Sequence, residues 1–351
     1  MCPQPTKQRD QIPSFRTKYF DASPTKQFGA LHSEAEKTFG KRLPLASLFQ
    51  TPTIRRLAVA LEAADEKPTW SPLVAIQPHG ARPPFFAVHT ISGQVMRYVE
   101  LAQRLGEDQP FYGIQAEGVN GGAMRQTTIR TIARSYVQEI RRVQRCGPYY
   151  LGGHCIGGVI AFEMAQQLHA AGEEVACLVL IDAYNPAHAP RRWMRKRIRL
   201  ALERAAGLSP GEQPLYFARA VVRKAKRRVA QLLKGGHSVI RRYYRLIRQD
   251  AERVAVPADH LRSQVWTTLE RAQSKYKPRS YSGRIVLFCP VDPDPESADR
   301  GWSQIAKGGL EIHEIPGEHQ TVFASVHVPV LAEKLSACLR AAAAQVAATR
   351  K

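Results

Sequence analysis

The sequence predicts an α/β fold with a mostly parallel sheet covered by helices, and three observations lead to this. Beyond residue 70, short apolar runs alternate with longer amphipathic runs, which is typical of strands joined by helical crossovers. The chain has 351 residues and is 44% hydrophobic, enough to bury a sheet on both faces. A Gly-His-Cys-Ile-Gly run at residues 153–157 joins an apolar strand candidate to an apolar helix candidate.

Seven strands are predicted from apolar runs bounded by turn residues. They cover residues 73–77, 84–89, 111–115, 149–152, 175–181, 284–289 and 310–315. Apolar residues between these runs recur at helical spacing. The helices are therefore predicted at residues 95–105, 128–145, 159–171 and 329–348.

The order of these segments divides the chain into a small N-terminal part and one large domain. Residues 1–19 are polar and contain proline, so a disordered tail is predicted there. Residues 20–64 are predicted to form a short helical unit, and residues 65–72 a linker. The α/β domain is predicted to span residues 73–345, with a helical insertion at residues 188–253.

The positive charge of the chain is concentrated in that insertion. The whole chain has a formal net charge of +21, and residues 188–253 hold 19 Lys and Arg against 4 Asp and Glu. An insertion at this point of an α/β fold overhangs the carboxyl ends of the strands, where active sites lie. No nucleic-acid-binding module accompanies the charge, so nucleic acid is not expected as a partner.

The cysteines and the hydropathy of the chain indicate in which cellular compartment the protein is expected. The six cysteines, at positions 2, 146, 155, 177, 289 and 338, form no CxxC pair and have no histidine at zinc-site spacing. Free thiols are therefore expected, with neither disulfides nor metal. No apolar run approaches the roughly 20 residues of a membrane span, and no signal-peptide pattern begins the chain. We expect a cytoplasmic protein without membrane contact.

Residues 153–157 have the spacing of a nucleophile elbow with cysteine, Cys155, in the serine position. In an elbow the chain leaves a strand, turns sharply and enters a helix, which exposes the central side chain above the sheet. Gly153 and Gly157 allow the strand and the helix to approach closely. The motif predicts acyl transfer through a covalent intermediate.

A cysteine nucleophile needs a base and an acid that orients the base. His319 follows the last predicted strand and is the candidate base. Asp182 ends the strand after the elbow helix, and Asp292 follows the next strand of the predicted sheet. Both carboxylates give the chain order nucleophile, acid, base, and the residues alone leave the choice between them open.

The elbow also predicts where an oxyanion hole would form. One donor is expected to be the backbone N–H of Ile156, directly after the nucleophile, and the other that of Ile91, after the second predicted strand.

The chain closely resembles the thioesterase domains of nonribosomal peptide and polyketide synthetases. The matching segments are residues 105–115, 147–153, 161–165, 178–182 and 316–319. The resemblance implies an α/β-hydrolase fold, Asp182 as the acid, and a mobile lid at the insertion. It also implies an acyl or peptidyl substrate presented on the phosphopantetheine of a carrier protein, with no cofactor bound by the domain itself.

Residues 20–63 resemble the second half of a phosphopantetheine carrier domain but lack its attachment motif. Residues 21–27 read Asp-Ala-Ser-Pro-Thr-Lys-Gln, without the paired glycines and the serine in register that the motif requires. Ser23 and Ser33 are poor substitutes. We expect no mass gain by intact-mass analysis after treatment with a phosphopantetheinyl transferase and coenzyme A; a gain of one arm would contradict this expectation.

The resemblance therefore implies a thioesterase or acyltransferase that releases a carrier-bound product by hydrolysis, transfer or cyclisation. Two alternatives stay open. One is a proofreading thioesterase that removes stalled acyl groups in trans, and the other is a catalytically weak module that only docks carriers. The sequence identifies neither the acyl chain nor its acceptor.

Overall fold

The computed structural model describes residues 71–119, 124–188, 259–290 and 298–349. The predicted tail, the carrier-like segment, nearly all of the basic insertion, and Asp292 lie outside these residues. No helix within the described ranges is long and apolar enough to cross a membrane.

The described residues form one seven-stranded sheet, and all seven predicted strands are confirmed within one or two residues at each end. The strands are β1 (Leu73–Gln77), β2 (Phe85–Val88), β3 (Phe111–Ile114), β4 (Tyr149–His154), β5 (Val175–Ile181), β6 (Ile285–Pro290) and β7 (Leu310–Ile315).

The strands are arranged in the order β1-β3-β2-β4-β5-β6-β7. All neighbours pair in parallel except β1, which runs antiparallel to β3. The mostly parallel sheet is thus confirmed. β1 lies at the sheet edge and is mostly half-buried, and an antiparallel edge strand is common on an otherwise parallel sheet.

Within the described ranges, five α-helices accompany the sheet: α1 (Val99–Arg104), α2 (Ile129–Val143), α3 (Ile156–Ala170), α4 (Asp259–Lys275) and α5 (Val328–Thr349). The helix predicted at residues 95–105 is divided into a 3₁₀ turn, Met96–Tyr98, and α1. Helix α4 was not predicted from the sequence. Its buried residues Val265, Leu269 and Ala272 recur at helical spacing, but polar residues surround them.

The sheet separates two apolar cores because successive strand residues point to opposite faces. Phe85 packs on the face that α1 and α5 cover, and its neighbour Phe86 on the face that α2, α3 and α4 cover. Both phenylalanines are almost fully buried. This three-layer arrangement holds the strand ends, and the loops that follow them, in fixed positions.

Gly157 brings α3 against the end of β2, and we expect a side chain there to be costly. A Cβ at this position would lie 2.3 Å from the carbonyl oxygen of His89 and 2.5 Å from that of Val88. Because backbone atoms cannot move aside, Gly157→Ala is expected to lower the free energy of unfolding by about 3 kcal/mol or more. Urea denaturation of the purified variant measures this.

Gly106→Ala is the matched control for this substitution. Gly106, unlike the helical Gly157, has a positive φ, 88°, and a Cβ there would meet no atom within 4 Å. Only backbone strain of roughly 1–2 kcal/mol is then expected. Equal losses in the two variants would show that the approach of α3 to β2 is not the constraint.

Candidate active site

Cys155 lies between the end of β4 and the start of α3, so the chain changes from strand to helix at a single residue. Its backbone has φ 58° and ψ −123°, a strained conformation for a residue with a side chain. Two hydrogen bonds fix it: the N–H of Cys155 donates to the carbonyl of Ile181 (3.0 Å), and the N–H of Gly158 donates to the carbonyl of Cys155 (3.1 Å). The side chain stays partly exposed. The nucleophile-elbow geometry predicted from the sequence is present.

The two outer glycines of the elbow are in close backbone contact. A Cβ on Gly153 would lie 2.4 Å from the carbonyl carbon of Gly157. The sharp turn therefore requires small residues at both positions, as the sequence predicted.

Asp182 follows β5, the strand next to β4, and its carboxylate is buried. Its N–H donates to the carbonyl of Phe288 (2.7 Å), which fixes the residue against β6. One carboxylate oxygen, Oδ2, lies 2.6 Å from Nδ1 of His319. The other, Oδ1, lies 3.2 Å from Nε of Arg300. Between the two candidate acids of the sequence, Asp182 is the one the described structure pairs with His319.

His319 lies in the loop after β7, four residues beyond the last strand position. The loop is held by Thr321, whose hydroxyl accepts from the N–H of Glu318 (2.8 Å) and whose N–H donates to the carbonyl of Glu318 (2.8 Å). The imidazole side chain is 38% exposed. Because Nδ1 faces Asp182, Nε2 is left for Cys155.

The hydrogen bonds of His319 set its protonation. Burial alone would lower the pKa of His319, but hydrogen bonds to Asp182 and Cys155, and attraction to both groups, raise it from 6.5 to about 10. The imidazole is then protonated at neutral pH.

The raised pKa of His319 gives a titration experiment. By NMR, the ring of His319 is expected to be protonated at pH 7 and to titrate near pH 10. Since the folded-state pKa exceeds the unfolded value of 6.5, the associated stability is present below pH 6.5 and is lost as the pH rises through about 10. In Cys155→Ala the pKa is expected to fall, because one hydrogen bond and one attraction are removed. An unchanged pKa would mean that the thiol and the imidazole do not interact.

His154 lies beneath the imidazole of His319. The two ring centres are 4.7 Å apart, and Phe323 packs edge-on to His154 at 5.2 Å. Burial, together with the nearby charges of His319 and Arg97, lowers the pKa of His154 well below 6.5. His154 is therefore a neutral ring that supports His319 from the elbow side.

The candidate oxyanion donors lie at the same sheet edge as Cys155. Ile156 begins α3, and the first N–H groups of a helix have no partner within it. Ile91 lies in a turn closed by a hydrogen bond from the N–H of Gly93 to the carbonyl of Thr90 (2.9 Å). The register pairs Val88, at the end of β2, with Gly153, so this turn starts beside the elbow.

Sequence reasoning missed two groups that hold this arrangement. Arg300 pairs with Asp182 and also donates through Nη2 to the carbonyl of Pro290 (3.0 Å). His89 contacts the hydroxyl of Tyr136 through Nε2 (2.8 Å) and the carbonyl of Thr90 through Nδ1 (2.7 Å), which anchors the turn that carries Ile91. Neither lies in a recognisable motif, so no signal in the sequence distinguishes them.

A third missed residue brings a positive charge close to the nucleophile. Arg97 is half-buried and donates to the carbonyl of Gln320 (3.3 Å), next to His319. Burial lowers the pKa of Arg97, and attraction to Tyr98 and Cys155 partly offsets this. Its guanidinium therefore lies near enough to Cys155 for the two side chains to interact electrostatically.

The sheet order and the elbow define an α/β-hydrolase fold. The family model for the thioesterase domain matches residues 83–339. The chain belongs to this thioesterase family, in which serine is the usual nucleophile.

Similar proteins are nonribosomal peptide synthetases. The chain is 28% identical over 307 residues to a dimodular nonribosomal peptide synthase of Bacillus subtilis. The aligned region covers 83% of this chain and 12% of that protein. It is 40% identical over 157 residues to the indigoidine synthase of Dickeya dadantii, covering 45% of this chain and 10% of that one. The chain thus spans a small part of the curated relatives it matches.

Two solved structures share the fold. The NocB thioesterase domain from the nocardicin cluster has a TM-score of 0.54 at 24% identity, covering 76% of this chain and 98% of that one. The four-domain nonribosomal peptide synthetase AB3403 has a TM-score of 0.56 at 23% identity. This match covers 88% of this chain and 23% of that one.

Proposed function

We propose that this chain releases an acyl or peptidyl group from a phosphopantetheine thioester on a carrier protein through an acyl-Cys155 intermediate. The observation that carries the proposal is the 2.6 Å hydrogen bond between Asp182 and His319, at the strand ends that also carry Cys155, whose thiol lies close enough to the imidazole to raise its pKa. The proposed roles are nucleophile for Cys155, general base and acid for His319, and orienting carboxylate for Asp182.

The first half-reaction begins with the thiolate of Cys155 attacking the thioester carbonyl carbon. The negative charge that develops on the carbonyl oxygen is stabilised by the backbone N–H groups of Ile91 and Ile156. As the tetrahedral intermediate collapses, the bond to the pantetheine sulfur breaks. The imidazolium of His319 gives its proton to that leaving sulfur, and the acyl group remains on Cys155.

In the second half-reaction His319 takes a proton from the acceptor, which attacks the acyl carbon and releases the thiolate of Cys155. The acceptor is water in hydrolysis, or an amine or hydroxyl in transfer or cyclisation. A serine nucleophile would convert the thioester into a less activated oxoester. A cysteine exchanges one thioester for another, so the acyl group stays activated for an amine or hydroxyl acceptor.

Intact-mass spectrometry with a panel of acyl-pantetheine thioesters tests the proposal. We expect a mass gain equal to one acyl group, located on Cys155 by peptide mapping and removed by hydroxylamine. Products made in ¹⁸O-labelled water separate hydrolysis, which incorporates the label, from transfer and cyclisation, which do not. Absence of any acyl adduct together with absence of turnover would contradict the proposal and support the carrier-docking alternative.

The carrier protein is proposed as the partner of the basic insertion at residues 188–253. Carrier domains are generally acidic and the phosphopantetheine arm bears a phosphate, so a cationic surface would steer their approach. We expect KM for an acyl-carrier substrate to rise with salt while KM for the free acyl-pantetheine changes little. Equal salt dependence would remove this role from the insertion.

A proofreading thioesterase acting in trans would accept carriers loaded with several short acyl groups at similar rates.

A further inference from the structure

Three metal-ligating side chains from β7 and α5 converge at a place that the catalytic line does not use. Glu311 and His313 are two residues apart on β7, so they point to the same face of the sheet. Cys338 lies on α5, which packs over that face. One ligand atom from each of the three side chains lies within 4.8 Å of the other two.

The contacts within this cluster share one atom, Nε2 of His313. It lies 2.7 Å from Oε1 of Glu311 and 3.5 Å from Sγ of Cys338. A single ring nitrogen holds at most one proton, so Nε2 cannot donate a hydrogen bond to Glu311 and to Cys338 equally well. A cation between the three atoms would satisfy all of them, because carboxylate, imidazole and thiolate are each good ligands for zinc.

The surroundings hold the three side chains in place. Arg284 binds the other carboxylate oxygen of Glu311, Oε2, at 3.3 Å, which leaves Oε1 directed at His313. The ring of Phe288 stacks on that of His313, with the ring centres 5.1 Å apart. Such outer contacts orient ligands in known metal sites. Cys338 is buried while Glu311 and His313 are partly exposed, so solvent reaches one side of the cluster.

We propose that Glu311, His313 and Cys338 bind one zinc ion, with a water molecule as the fourth ligand. Zinc distances of about 2.0–2.3 Å to oxygen, nitrogen and sulfur require only small movements of side chains that already lie within 4.8 Å of one another. Binding releases the thiol proton of Cys338 to solvent. The ion links the last strand of the sheet to the C-terminal helix and stabilises their packing.

No metal site was expected from the sequence, because the cysteines form no CxxC pair and have no histidine at zinc-site spacing. Glu311 and His313 are separated from Cys338 by more than twenty residues. Only the packing of α5 on β7 brings the thiol to the histidine. The proposal does not involve Cys155, so its failure would leave the proposed thioesterase function unaffected.

Titration with Co²⁺ as a spectroscopic probe tests the site. The experiment uses the full chain carrying Cys155→Ala, so that the catalytic thiol and His319 cannot supply the signal. We expect a thiolate-to-cobalt charge-transfer band and visible bands of four-coordinate cobalt, saturating at one ion per chain and displaced by Zn²⁺. Cys338→Ser and His313→Gln are each expected to weaken binding by at least about tenfold.

Cys146→Ser, added to the same chain, is the matched control, since Cys146 is exposed and lies outside the cluster. It is expected to keep the cobalt spectrum. As a second measurement, Zn²⁺ is expected to raise the melting temperature of the wild type but not that of Cys338→Ser. Absence of a thiolate band, or a band that persists in both Cys338→Ser and His313→Gln, would overturn the proposal.

Discussion

Replacing Cys155 by alanine is expected to reduce acyl-thioester turnover on the order of 10⁶-fold, the typical cost of losing a triad nucleophile. The physical reason is that no covalent intermediate can form, while the proposed oxyanion donors, the N–H groups of Ile91 and Ile156, are left in place. The variant is therefore expected to keep a KM near that of the wild type. Steady-state assays with an acyl-pantetheine thioester, combined with intact-mass analysis, measure both quantities.

Two further variants make this prediction specific. Cys146→Ala removes an exposed thiol from the surface and is expected to leave turnover unchanged. Cys155→Ser keeps a nucleophile but forms an oxoester, so the acyl-enzyme is expected to persist longer in the mass spectrum. If Cys155→Ala retained most of the activity, Cys155 would not be the nucleophile.

Replacing Asp182 by asparagine is the second large effect, with an expected loss on the order of 10⁴-fold in kcat. The carboxylate accepts a hydrogen bond from Nδ1–H of His319 (2.6 Å). An amide in its place would donate through its NH₂ group to Nδ1 and leave the single ring proton on Nε2, so the ring could not take up the proton of Cys155 and become an imidazolium. The pKa of His319 is also expected to fall, because a hydrogen bond and an attraction that raise it are lost.

This substitution has a second consequence that must be measured separately. Asp182 and Arg300 form a buried ion pair with side chains that are each 3% exposed. Breaking such a pair from one side typically costs about 3–5 kcal/mol of stability. Urea denaturation is therefore used to measure the stability of the variant, and its kinetics are measured under conditions in which it is fully folded.

Asp292→Asn is the natural control because the sequence offered this residue as the other candidate acid. It is expected to keep nearly full activity and an unchanged pKa for His319. A loss of several thousand-fold in Asp292→Asn, with little effect in Asp182→Asn, would reverse the assignment of the acid.

Several features of the fold were predictable because their signals are local. Buried strands such as β5 and β6 are continuous apolar runs, and the elbow combines a strand, two glycines and a helix within a few residues. The missed helix α4 shows where local signals fail. Its apolar positions Val265, Leu269 and Ala272 become recognisable only because they pack against the face that α3 also covers.

The site was predictable to the level of candidate residues, and the reason is the parallel sheet. Parallel strands end at one edge, so Cys155 after β4, Asp182 after β5 and His319 after β7 were expected to meet there. The residues alone left Asp182 and Asp292 open, because both follow a strand at that edge. Arg300, His89 and Arg97 were not foreseen, since nothing near them in the sequence marks them.

The sequence by itself determined the α/β architecture, the elbow and the thioesterase family, because each depends on residues that are neighbours along the chain. The resemblance to thioesterase domains already favoured Asp182 as the acid, but only the tertiary structure shows its carboxylate 2.6 Å from Nδ1 of His319, which is 137 residues away. The tertiary structure also decided that Arg300 neutralises the buried carboxylate and that Cys338 meets His313. These contacts depend on how distant segments pack on a common sheet, which local patterns of hydropathy do not encode.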